Sequence, residues 1–70
     1  MIMEKFTFIV IREKEVVIEK FNYLDTCVNL MNTLIEREKK IRKQFGIKDK
    51  KYMCITNENG KILTEWISKE

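Results

Sequence analysis

The chain lacks histidine, proline and alanine, and it has only two glycines and two cysteines among its 70 residues. Without histidine it lacks the commonest general base and metal ligand. Cys27 and Cys54 lack the paired spacing of a zinc site, and their positions favour small buried thiols over a nucleophile. Gly46 and Gly60 fall at predicted turns, and neither common phosphate-binding loop is present. The sequence therefore predicts a protein without catalysis, metal or cofactor.

Long apolar runs are also missing. The run from Phe6 to Ile11 is interrupted at Thr7, and it is too short for a membrane span or a signal-peptide core. Two isolated cysteines do not form the disulfide framework of a secreted protein. We therefore expect a cytoplasmic protein with free thiols and no membrane segment. Residues 1–70 are expected to form one small domain, whose own core is marginal at this length.

Two segments rich in β-branched and aromatic residues, 4–11 and 16–21, predict a β-hairpin. Pairing Ile11 with Val16 suits a loop of either two or four residues. Because side chains alternate along a strand, this register gives two apolar faces. The first face carries Phe6, Phe8, Val10, Val17 and Phe21, interrupted by Glu19, and the second carries Ile9, Ile11, Val16 and Ile18. A hairpin with one side in water is not expected to show this pattern.

Apolar residues at helical spacing predict a long helix over 22–46. Asn22 or Asp25 is expected to cap its start, and Gly46 suits the left-handed position just past its end. Glu38 is the only polar member of the predicted buried stripe. The apolar members of that stripe are Leu24, Cys27, Met31, Leu34, Ile41 and Phe45, widened by Val28 and Ile35.

The segment 51–67 predicts a second hairpin around the turn NENGK. A type I turn with Gly60 in the left-handed conformation would place Tyr52 opposite Trp66. A tighter type I′ turn would place Met53 there instead, and the sequence does not distinguish the two registers.

The element order ββαββ predicts an α+β fold, a four-stranded, mostly antiparallel sheet with one long helix packed on one face. The sequence leaves open whether both hairpins share that sheet or the second folds over the first.

Positive charge is concentrated in residues 36–51, which hold eight Lys or Arg against three Asp or Glu, whereas the other residues hold six against eight. The spacing predicts two ion pairs along the helix, Glu36–Lys40 and Glu38–Arg42. The remaining cations are candidates for phosphate contact: Arg37, Lys39, Lys40, Lys43, Lys48, Lys50 and Lys51.

Two observations weigh against a nucleic-acid interface. The basic stretch has no aromatic residue except Phe45, which the periodicity assigns to the core, and no known RNA- or DNA-binding pattern. Cations in the last helical turns are also expected from the helix dipole alone. A solvated helix end is therefore the favoured interpretation.

One helix can cover only one face of the sheet, so the second apolar face is expected to be an interface. Tyr52 and Trp66 either fill the core or act as anchors for a partner. The predicted dimer or partner interface comprises Ile9, Ile11, Val16, Ile18, Tyr52 and Trp66.

We expect a small non-enzymatic interaction protein, a regulator or inhibitor that binds a protein partner and forms a homodimer. Its size and composition resemble those of short bacterial and phage proteins. The alternative is a nucleic-acid-binding accessory protein that uses residues 37–51.

Overall fold

The structure, a computed structural model, describes residues 5–68. Four strands form one antiparallel open sheet in the order β2-β1-β3-β4, with one helix on one face. The elements are β1 (Phe6–Arg12), β2 (Glu15–Phe21), α1 (Leu24–Phe45), β3 (Lys51–Thr56) and β4 (Ile62–Ile67). The predicted α+β fold is confirmed, and the pairing of β1 with β3 joins both hairpins in one sheet. Glu4, where the first strand was expected to begin, lies outside the described residues.

The register of the first hairpin is the predicted one. Ile11 pairs with Val16, and Glu13 and Lys14 form the shorter of the two expected loops. Glu13 has a φ of 46°, which lies in the left-handed region of backbone conformation. Residues other than glycine adopt this conformation at a cost in free energy. The hairpin therefore closes tightly at the expense of one unfavourable backbone conformation.

The turn of the second hairpin is the predicted type I turn. The Gly60 N–H donates to the Asn57 carbonyl at 3.0 Å, and Gly60 is left-handed with a φ of 82°. The Asn57 side-chain oxygen also accepts the N–H groups of Asn59 and Lys61, both at 2.9 Å. Asparagine therefore closes the turn through both its backbone and its side chain.

A β-bulge just after this turn shifts the register of β3 against β4. The shift lies between Ile55 and Thr56 on β3, and Leu63 is the extra residue on β4. Beyond the bulge Met53 lies opposite Trp66, which is the pairing expected of the tighter turn. The hairpin thus combines the bulged turn of one predicted arrangement with the strand pairing of the other.

The helix ends as predicted but begins differently. Gly46 follows it in the left-handed conformation, with a φ of 64°, and its N–H bonds back to the last turn. Neither Asn22 nor Asp25 is the N-cap. Tyr23 occupies that position without a side-chain hydrogen bond, and Asp25 lies in the first turn. There a carboxylate is still favoured by the helix dipole.

The core lies between α1 and the two central strands. Met53, Ile55 and Cys27 are its most deeply buried side chains. The whole buried cluster is Phe6, Phe8, Cys27, Met31, Met53 and Ile55. All of these residues come from β1, β3 and the first half of α1, so the second half of the helix is held by other means.

The prediction that Phe45 belongs to the core is wrong, because its side chain is 69% exposed. The 22 residues of α1 span about 33 Å, whereas a seven-residue strand spans about 23 Å. The last turn of the helix therefore has no sheet beneath it. Glu38 and Arg42, rather than apolar residues, are the buried side chains of the second half.

Candidate interaction surfaces

The sheet face opposite α1 brings together most of the predicted interface residues. In the observed register Ile9 pairs with Ile18, and Ile11 pairs with both Val16 and Tyr52. Because Phe6, Phe8 and Val10 face the helix, these five side chains point to the other side of the sheet. We call this surface the outer face.

Much of the outer face is exposed to solvent. Val16 and Ile18 are 59% and 58% exposed, and Ile67 is 56% exposed. Ile67 belongs to this face because it pairs with Tyr52, and Cys54, which pairs with Ile9, lies buried near its centre. The sequence could not assign Ile67 to the outer face because the register of β4 was undecided.

One polar pair lies on the outer face. The Tyr52 hydroxyl donates a hydrogen bond to the Glu65 carboxylate, with 2.6 Å between the oxygens. This bond raises the pKa of Tyr52 above its ordinary value, since ionised tyrosine could not donate it, and partial desolvation of the phenol raises it further. The pair fixes the phenol ring beside Ile11 and Ile67 and gives the apolar surface one defined polar position.

Trp66 does not lie with the other predicted interface residues. It pairs with Met53 and packs against the core cluster on the helix side. The bulge at Leu63 is the physical reason, because one extra residue exchanges the two faces of a strand. The prediction that Trp66 helps to fill the core agrees with this placement, and its grouping with Ile9 and Ile18 does not.

Trp66 is nevertheless partly exposed, because it lies in a groove between the second half of α1 and β4. The groove has a volume of about 660 Å³. Its lining residues are Lys39, Arg42, Lys43, Glu65, Trp66 and Ile67. We call it the edge groove, since β4 is the last strand of the sheet.

A buried ionic network fixes the second half of α1 to the sheet. Arg42 donates to Glu38 at 3.4 Å and to the Asp49 carboxylate at 3.1 Å, and its guanidinium also binds the Asp49 carbonyl. Lys51 binds the other Glu38 oxygen at 2.9 Å, and Arg12 binds Asp49 at 2.9 Å. The predicted pair Glu38–Arg42 is confirmed as one link of this network.

The network sorts the cations of the basic stretch into two groups. Lys51 and Arg42 are engaged with buried carboxylates. The exposed group is Arg37, Lys39, Lys40, Lys43, Lys48 and Lys50. Within residues 5–68, Glu36 pairs with Lys39 at 3.9 Å rather than with Lys40 as predicted.

The cysteines are both free and buried. Burial raises the pKa of the Cys27 thiol, which makes it less reactive than an exposed cysteine. Among residues 5–68 no group of three His, Cys, Asp or Glu side chains is placed to hold a metal ion.

The chain matches no protein-family model, no curated protein and no solved structure. In the described part of the chain, no helix is both long and apolar enough to cross a bilayer.

Proposed function

We propose that this protein is a small non-enzymatic binding module that acts through the outer face of its sheet, in a two-fold dimer or on the surface of a protein partner. The proposal rests on the row of exposed β-branched side chains on that face, of which Val16 and Ile18 are the most exposed. A two-fold dimer is the simplest arrangement, because one surface then serves both copies.

The free energy of forming such a dimer can be estimated from the side chains and the area that it buries. Burying each exposed β-branched side chain contributes about 1.5–3 kcal/mol before the cost of association is subtracted. With strands about 4.8 Å apart and about 20 Å long, the four-stranded face has a footprint of roughly 400 Å² per copy. Two such faces reach only the low end of interface sizes. We therefore expect a dimer that dissociates on dilution, or tighter binding to a larger partner.

Sedimentation velocity over a range of concentrations tests this proposal. At raised salt, where only apolar contacts persist, the parent should sediment increasingly as a dimer with concentration, whereas Val16→Lys/Ile18→Lys should remain a monomer. Both side chains are largely exposed, so the variant should fold. The matched control is Tyr23→Lys/Phe45→Lys, which adds the same charge at two side chains that are 69% exposed elsewhere. A parent that stays monomeric and binds no apolar dye would contradict the proposal.

A second candidate function, nucleic-acid binding, is favoured by one specific observation. The network withdraws Glu38 and Asp49 from the surface, so the exposed part of residues 36–51 carries six cations and one acid, Glu36. The acids interspersed in this stretch therefore cancel less of its positive charge than the sequence composition alone suggests.

Binding to duplex DNA at varied salt tests the second candidate. The logarithm of the binding constant should fall by about 0.9 per log unit of salt for each phosphate contacted. Lys39→Glu/Lys40→Glu/Lys43→Glu should abolish binding while the far-ultraviolet circular dichroism stays unchanged. We expect weak binding at low salt only. Tight binding at physiological salt would make this the primary function.

A further inference from the structure

The two edges of the sheet differ in charge. β2 forms one edge and carries three charged residues, Glu15, Glu19 and Lys20, whereas β4 forms the other and carries only Glu65. Charged residues along an edge strand discourage pairing with other chains unless the facing edge carries charges of opposite sign. The β4 edge has little of this protection, and its single charge is hydrogen-bonded to Tyr52 on the outer face.

The strand directions allow the sheet to continue into a second copy. β1 is antiparallel to both β2 and β3, and β4 is antiparallel to β3, so β2 and β4 run in opposite directions. A second copy can be translated at right angles to the strands, past the β4 edge. Its β2 then lies antiparallel to β4 of the first copy, and its helix lies on the same side of the sheet. No reversal of either molecule is needed to form a continuous antiparallel sheet.

The charges of the two edges are complementary on the helix side. The edge groove is flanked by Lys39 and Lys43, and the third cation lining it, Arg42, is already compensated by buried carboxylates. On β2 the helix side carries Glu15 and Glu19, in register with the helix-facing residues of β1. Within residues 5–68 neither of these glutamates makes an ion pair. One edge thus offers two unpaired acids. The other offers two exposed bases, Lys43 and Lys39, of which Lys39 makes only a long 3.9 Å contact with the exposed Glu36. Glu65, the one acid lining the groove, is hydrogen-bonded to Tyr52 on the outer face.

We propose that β2 of a second copy adds to β4 in the edge groove, so that the chain associates head to tail. The residues on the helix side of β2 are Glu15, Val17 and Glu19. In the proposed pairing, Val17 of the second copy lies opposite Trp66, with one glutamate on each side of it along the strand. The two glutamates lie about 13 Å apart along the strand, and Lys39 and Lys43 lie about 6 Å apart along the helix. Flexible lysine side chains can bridge this difference, one to each carboxylate.

This inference goes beyond the proposed function because it uses the edges of the sheet rather than its outer face. A head-to-tail contact does not close on itself, so it generates a growing chain of molecules unless the rotation closes a ring. Adjacent strands are rotated by about 20–25°, so four strands give roughly 80–100° per copy. The expected product is a twisted ribbon in which helices follow one another along one face.

Charge reversal on each edge tests the proposal. Lys39→Glu/Lys43→Glu makes both edges acidic, and Glu15→Lys/Glu19→Lys makes both edges basic. Each variant alone should therefore lose the assemblies larger than a dimer that the parent forms at low salt. An equimolar mixture should form them again, since both contacts are then complementary. Because all four side chains are exposed, unchanged circular dichroism should show that each variant folds.

The readouts are sedimentation velocity and the fluorescence of Trp66, the only tryptophan in the chain. Assembly should shift the emission to shorter wavelength, and raised salt should reverse the shift. The proposal is overturned if the parent forms no species larger than a dimer, if each variant keeps the parent's size, or if the mixture stays small. Quenching of Trp66 by oligo-dT, or by an acidic peptide, without assembly of the parent would assign the groove to that ligand and also overturn it.

The same experiment separates this proposal from the outer-face dimer. If both proposals hold, each charge-reversed variant should still dimerise through its outer face, and salt should not weaken that apolar contact. Variants that run as monomers, while their mixture assembles, would contradict the outer-face dimer and support the edge contact.

Discussion

At the scale of single residues, Glu13 carries the least favourable backbone conformation. Among residues 5–68 it is the only residue other than glycine with a positive φ. The left-handed conformation costs an ordinary side chain about 1–2 kcal/mol, and glycine avoids that cost but loses more entropy on folding. We expect Glu13→Gly to raise the free energy of unfolding by about 0.5–1 kcal/mol. Urea denaturation measures this as a higher midpoint at an unchanged slope.

The neighbouring loop residue provides the control for this prediction. Lys14 has no positive φ, so Lys14→Gly gains nothing from glycine's freedom and should lower the free energy of unfolding. Equal effects of the two substitutions would contradict the explanation.

At the scale of the elements, the start of α1 leaves room for stabilisation. Tyr23 occupies the N-cap position but makes no side-chain cap hydrogen bond. An aspartate there can accept a bond from a free backbone N–H and also interacts favourably with the helix dipole. We expect Tyr23→Asp to stabilise the protein by about 1 kcal/mol. Thermal denaturation of the parent, Tyr23→Asp and Tyr23→Ala checks this, and an alanine variant as stable as the aspartate variant would contradict it.

The number, order and type of the elements could be predicted because each depends on local pattern. β-branched runs gave the strands, helical spacing gave α1, and Gly46 and Gly60 marked two left-handed turns. The register of β4 could not be predicted, because the bulge at Leu63 lies within the strand, where no glycine or turn residue marks it. That single residue decides the face on which Trp66 lies, which the sequence had left open.

The position at which the buried stripe of α1 ends could not be predicted from the sequence either. The helical periodicity continues to Phe45, but the sheet beneath it does not extend that far. The ionic network was visible only in part, since the pair Glu38–Arg42 has a helical spacing whereas Asp49 reaches Arg12 from a distant segment. Local patterns thus identified the charged residues but not the pairing that withdraws some of them from the surface.

At the scale of the whole molecule, Asp49 links three parts of the chain. It lies in the segment between α1 and β3, and its carboxylate accepts hydrogen bonds from Arg12 on β1 and Arg42 on α1. The bond from Arg12, with the charges of both arginines, holds the pKa of Asp49 below its ordinary value. Since the folded state binds a proton less readily than the unfolded state, Asp49 stabilises the fold above its unfolded pKa of about 3.9.

This stabilisation should be lost as the pH falls through the lower, folded pKa of Asp49. We therefore expect Asp49→Asn to be less stable than the parent at pH 7, and the difference to shrink as the pH falls below about 4. Urea denaturation of both proteins at a series of pH values measures the difference, and subtraction removes the contribution of the other carboxylates. A difference in the free energy of unfolding that stays constant from pH 7 to pH 2 would show that Asp49 stabilises the fold through the packing of its side chain and not through its charge.

The central pairing of β1 with β3 has a consequence for how the chain is made. β1 ends at Arg12 and β3 begins at Lys51, so residues 13–50 must be synthesised between them. At about 5–20 residues per second, this takes roughly 2–8 s. Throughout that interval β1 can pair only with β2, and a two-stranded hairpin is at best marginally stable in water. The most apolar strand of the sheet therefore emerges from the ribosome before its second partner and keeps one edge open until β3 follows it.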